Sequence, residues 1–200
     1  MNRAFFTLVI AMLLHLVCGA ATFPVSGGDN EGRRIVVSYD ESQKHFGPDA
    51  GPDILLVDRE GKTLAKFPAL EADWSWNGVH PEQAVHRADW SHSGDLVYIV
   101  FQAGRLYSGF SVYRYADGKL SRVEIEPLLS TIHEKELFGA EPASPNVARS
   151  RVVAWLGSVT LLCAMERADS TYYLAIAIPK TGKPRMIHSF ELNEPSSEQP

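Results

Sequence analysis

Three histidines, His80, His86 and His92, recur every sixth residue. On one extended strand that spacing would put three imidazoles on one face, where they could share a metal ion. Pro81 and the turn Ser91-His92-Ser93-Gly94 break any such strand, and no zinc motif has this spacing. His45 shares a Pro- and Gly-rich loop with Asp40, Asp49 and Asp53. Their order matches no calcium loop, and Asp in such company forms turns. Cys163 alternates with Leu161 in an apolar run, which reads as a small buried side chain rather than a nucleophile. The chain has no His-Glu-x-x-His, no Gly-x-Ser-x-Gly, no phosphate loop and no metal-ligating Cys pair. The reading is of a protein that is not an enzyme, with no catalytic residues, no metal and no cofactor. Two groups of residues suit binding instead. Trp74 and Trp76 are two apart, so on a strand they share a face that would stack on a sugar or anchor a protein. The plainer reading is that they cap the core. Arg105-Leu106-Tyr107-Ser108 falls at a hairpin tip, yet carries Arg and Tyr, types enriched at interface hot spots. Its plainer reading is a loop packed on a neighbouring sheet.

The elements that position these residues repeat. A polar turn ending in Gly, an apolar strand, a loop, a second strand and a Gly-Lys turn occur three times. The first copy runs from Asp29-Asn30-Glu31-Gly32 to Gly61-Lys62. The second runs from Trp90-Ser91-His92-Ser93-Gly94 to Gly118-Lys119, and the third from Trp155-Leu156-Gly157 to Gly182-Lys183. Trp90 and Trp155 lie 65 residues apart, and Gly118 and Gly182 lie 64 apart. A fixed period of this kind signals stacked or radial units. Short Val-, Ile-, Leu- and Tyr-rich runs bounded by turn residues predict strands near 34–39, 53–58, 62–67, 85–90, 96–102, 109–115, 119–124, 151–156, 159–165, 172–178 and 184–188. Phe110, Val112 and Arg114 alternate with Ser111, Tyr113 and Tyr115, so apolar bulk faces both ways and the middle sheet is expected between two others. Ala116-Asp117-Gly118-Lys119 and Pro179-Lys180-Thr181-Gly182 read as tight hairpin turns. Inserts at 68–84 and 125–149 interrupt the repeat. Ile125, Leu128, Leu129 and Ile132 fall at helical spacing in the second, with Pro127 suited to a first turn, so it predicts one short helix. The fold expected is all-β, a propeller-like arrangement of three four-stranded units. Three units are few for a closed ring, and an open arc leaves edges that a second copy, as a homodimer, or another partner would cover.

Residues 1–20 read as a secretory signal peptide: Arg3, an apolar run from Ala4 to Val17 shorter than the ~20 residues of a membrane span, and small residues before a cut after Ala20. A lipoprotein anchor at Cys18 is disfavoured because bulky Val17 precedes it. A single domain over 21–192 and a disordered polar tail over 193–200 follow. With Cys18 removed, Cys163 has no intramolecular partner. The expected location is periplasmic or secreted, with no membrane insertion. The formal charge is −5, and losing Arg3 makes the mature chain slightly more acidic. That balance argues against nucleic acid and anionic lipid and favours a basic protein partner.

The segment Ala88-Asp89-Trp90-Ser91-His92-Ser93-Gly94-Asp95-Leu96-Val97-Tyr98 resembles the Trp-Ser-Pro-Asp-Gly-Lys blade signature of TolB-type periplasmic propellers, with His92, Ser93 and Asp95 in place of Pro, Asp and Lys. The third unit keeps Trp155 and Gly157. This resemblance implies that each Trp fills the space between blades while its turn starts the next strand. In outline the mature chain is similar to the periplasmic immunity proteins that block type VI-secreted peptidoglycan amidases. That likeness implies two recognition loops. One would be the Pro/Asp-rich stretch from Asp40 to Asp53, and the other Gly104-Arg105-Leu106-Tyr107-Ser108-Gly109, whose Ser108 would enter the amidase cleft and occlude its Cys–His pair. The loop here is longer, carries Arg105 and Tyr107, and the chain lacks the family's disulfide cysteines. The expected function is an exported protein-binding module, in its concrete form an immunity-type inhibitor of a basic cell-wall hydrolase. The alternatives are a TolB-like envelope scaffold and a glycan-binding module using Trp74 and Trp76.

Overall fold

The computed structural model describes residues 20–25, 28–42, 45–46, 51–68, 78–103, 107–132, 149–167 and 170–193. The chain is mostly β and forms three antiparallel sheets. The first holds β1 (Ala20–Pro24), β2 (Arg34–Asp40), β3 (Asp53–Val57) and β4 (Thr63–Lys66). The second holds β5 (Val85–Trp90), β6 (Leu96–Ala103), β7 (Tyr107–Ala116) and β8 (Lys119–Val123). The third holds β9 (Arg149–Trp155), β10 (Thr160–Arg167), β11 (Ser170–Ala177) and β12 (Arg185–Asn193). Strand order within each sheet follows chain order, so each repeat is one meander. Among the described residues the only helices are α1 (Glu126–Ile132), inside the insert that the apolar spacing marks, and a 3-10 turn at Pro81–Gln83.

Two strands differ most from the sequence reading. β1 has no counterpart in it, because Ala20-Ala21-Thr22-Phe23-Pro24 has weak strand character of its own and gains its bonds by pairing with Val36 to Asp40 of β2. β12 runs on to Asn193 rather than stopping near 188, since Ser189-Phe190-Glu191-Leu192 continues the pairing along β11.

Alternation makes the middle sheet two-sided. Val97, Ile99, Phe101 and Tyr113 pack against Ile35, Val37, Ile54, Leu56 and Phe67 of the first sheet. Leu96, Tyr98 and Val112 pack against Leu161, Cys163, Met165, Leu174 and Ile176 of the third. Ile125, Leu129 and Ile132 add the apolar face of α1 to this second layer, with Leu128 at its margin. The middle sheet meets its neighbours where β4 touches β8 and β7 touches β9. No comparable contact joins the first sheet to the third among the described residues. The order of packing is therefore first, second, third, with the middle sheet buried on both faces.

The repeated tryptophans close the two layers. Trp90 ends β5 on the face toward the first sheet, and Trp155 ends β9 on the face toward the second. β1, the first described strand, ends in Pro24 instead. The repeated turns meet at one end of the stack, because a meander brings its first and third connections to the same edge. There Asn30 Nδ2 donates to the His92 carbonyl at 3.1 Å, and the His92 N–H to the Gly157 carbonyl at 3.4 Å. Asp117 (φ 52°) and Gly118 (φ 74°) both take the left-handed conformation of a two-residue type I′ hairpin between Ala116 and Lys119.

Gly94 has a further constraint. Its φ is 71°, and a Cβ there would sit 3.1 Å from Arg33 Nη2, whereas one at Gly118 meets nothing within 4 Å. Both Gly→Ala changes strain the backbone by roughly 1–2 kcal/mol. Only G94A also displaces Arg33 from the turn, so its urea midpoint should fall clearly below that of G118A.

Candidate functional site

At the other end of the stack β2, β6 and β10 end and β3, β7 and β11 begin, and the inserts that follow β4 and β8 depart from the strands that run toward it. Rigid sheets that hold variable loops at one end are a common way to build a recognition surface. Backbone bonds tie the first loop, the β4–β5 insert and the end of β6 together. The Phe46 N–H donates to the Val79 carbonyl at 3.0 Å, and the Gly78 N–H to the Phe46 carbonyl at 3.0 Å. The Gln102 N–H donates to the Ala84 carbonyl at 3.0 Å, joining β6 to the insert. Phe46, Val79 and Ala84 are buried as a small separate apolar cluster with Tyr39 against it. The His45 and His80 rings meet edge to face at 5.8 Å. The first loop, the insert and the β6–β7 hairpin thus form one continuous end.

Tyr107 and Ser108 lie within this end, but not in its loop. Tyr107 pairs with Ala103 and Ser108 with Gln102, so both belong to β7 and the connection narrows to 104–106. The strand extends because Gln102 and Ala103 continue β6 opposite them. Ser108 is therefore across the ladder from the residue whose N–H anchors the insert at Ala84. Arg105, Leu106, Trp74 and Trp76 lie outside the described residues, as does Asp49.

The three spaced histidines are not brought together. His80 precedes β5, His86 is within it, and His92 is in the turn beyond it. The six residues of β5 separate the first from the last by roughly 20 Å. Cys163 is fully buried under the middle sheet, and burial pushes its thiol up to about 12. It packs as a small apolar side chain, with no thiolate at neutral pH.

Two features of the two ends escaped the sequence. Phe46 anchors the first loop, and its only signal is a large apolar residue in a loop otherwise made of polar residues, Gly, Pro and Ala. Arg33 ties the first sheet to the second. Its Nε donates to Asp29 Oδ2 at 2.6 Å and its Nη2 to the Gly94 carbonyl at 3.0 Å. The guanidinium carbon lies 5.3 Å from the Trp90 ring centroid and 4.8 Å from that of Tyr115. Sequence showed an Arg after a Gly turn, without the distant turn it would reach.

No family model, curated protein or solved structure matches this chain. Among the described residues no helix is long and apolar enough to cross a membrane.

Proposed function

We propose that the chain is an exported protein-binding module whose partner docks on the loop end of the stack. The observation that carries this reading is the backbone bonding of Phe46, Val79, Ala84 and Gln102, which joins the first loop, the β4–β5 insert and the end of β6. Such preorganisation spares the ordering cost that free loops would meet on binding. Three meanders stacked in chain order support a propeller-like arc, and the Trp at each internal junction suits the blade role implied by the TolB-type signature.

The concrete form is an immunity-type inhibitor of a peptidoglycan amidase in the periplasm. Three points support it: the apolar leader-like N-terminus, the acidic net charge of −5, and the position of Ser108 beside the hairpin tip in the middle sheet. An acidic inhibitor gains association rate toward a basic hydrolase by electrostatic steering. Replacing Tyr107 and Ser108 together by Ala should weaken inhibition of the captured amidase by at least tenfold, with the thermal midpoint close to wild type. Inhibition titrated against the wild-type chain checks this, and an unchanged titration curve dismisses the hairpin as the contact.

A further inference from the structure

A cleft opens between the second and third sheets, away from the loop end. Sheet twist lets the last strands of neighbouring sheets splay, and α1 closes only part of the gap. Arg114 of β7 and Val123 of β8 form one wall, the 178–184 turn that leads into β12 forms the other, and Leu128 of α1 closes the back. Its volume is about 670 Å³, within the ordinary range for a small-molecule site. One bond braces the walls: Arg114 Nη2 donates to the Pro179 carbonyl at 2.7 Å.

The charge of this cleft is opposite to that of the chain. Arg114, Arg122, Lys180 and Lys183 line it against one carboxylate, Glu124, in a protein whose net charge is −5. Arg122 is paired with Glu126 at 2.7 Å. Lys180 and Lys183 are exposed and take part in no ion pair shown among the described residues. Arg114 gives one N–H to Pro179 and has other donors left for a ligand. Between these cations the lining is apolar, from Val123, Leu128, Ile178 and the prolines. A concave site with cationic rims and low-dielectric walls concentrates the field on a bound anion.

We propose that this cleft binds a small organic anion with an apolar body: the anionic group would lie among Arg114, Lys180 and Lys183, and the apolar part on Leu128 and Ile178. The cleft is separate from the 41–52 loop, the β4–β5 insert and the end of β6, none of which contributes a residue to its lining.

The test uses the full mature chain, the fluorescent sulfonate 1-anilinonaphthalene-8-sulfonate as probe, and dodecanoate below its micelle concentration as competitor. K180E/K183E reverses two exposed turn charges and leaves the core untouched. K62E/K119E makes the same net change at two other Gly-Lys turns and serves as the control. The expected result is saturable probe binding that dodecanoate displaces, weakened at least tenfold in K180E/K183E and less than twofold in K62E/K119E. Equal affinity in wild type and K180E/K183E overturns the site. Displacement by inorganic phosphate at the same concentration as dodecanoate overturns the requirement for an apolar body.

Discussion

Trp155→Ala should lower the unfolding free energy by about 3–5 kcal/mol, the range for deleting a large buried aromatic. Trp155 is 8% exposed and sits in the apolar layer between the second and third sheets. Its ring lies 6.0 Å from that of Tyr98, and its Nε1–H donates to the Asp89 carbonyl at 3.0 Å. The deletion opens a cavity in the apolar layer that holds the third sheet to the second. A paired substitution sharpens the result. Trp90 occupies the matching place one junction earlier, but its Nε1–H is buried without a hydrogen-bond partner. W155F therefore loses a hydrogen bond worth about 1 kcal/mol, whereas W90F removes an unsatisfied donor and should cost less. Urea denaturation of the four proteins measures both comparisons. Equal losses for W155F and W90F would show that the Asp89 bond adds nothing.

Arg33→Ala should be nearly as damaging, at about 3–5 kcal/mol, because it strands a buried partner. The Asp29 side chain is 1% exposed, and its ion pair to Arg33 spans 2.6 Å. Asp29 would keep the backbone N–H bonds from Glu31 and residue 33, but not its countercharge. The variant also loses the bond to Gly94 and the guanidinium contacts with Trp90 and Tyr115 that bind the first sheet to the second. Adding D29A to R33A should cost little more, because the pair fails as a unit. A double-mutant cycle on urea midpoints reads that coupling, and additive losses would contradict it.

What sequence alone could show follows from what is local. The alternation of Phe110, Val112 and Arg114 with Ser111, Tyr113 and Tyr115 reported a sheet buried on both faces, because strand side chains alternate whatever the partner is. The Asp117-Gly118 turn was legible because positive φ at two successive positions needs those residue types. Pro127 with the Ile125, Leu129 and Ile132 stripe located α1 for similar reasons. β1 was not legible, since its bonds come from β2 rather than from its own residues. The reach of Arg33 to Gly94, 61 residues away, and the opposition of Arg114 to the 178–184 turn depend on how sheets stack, which no local pattern encodes. For the same reason Tyr107 and Ser108 could be placed near a hairpin tip, but not across the ladder from the anchor of the insert.

Docking of a protein partner on the loop end is the proposal with the most to lose from a single experiment. The most direct test is affinity capture by the tagged chain, residues 21–200, from cells of its own species, run beside the Tyr107→Ala, Ser108→Ala double variant and read by mass spectrometry. The expected result is one small basic cell-wall hydrolase, recovered in equal amount with the wild-type chain, inhibited by it, and lost from the variant. Recovery of envelope components alike on both baits, or of no hydrolase on either, would contradict it.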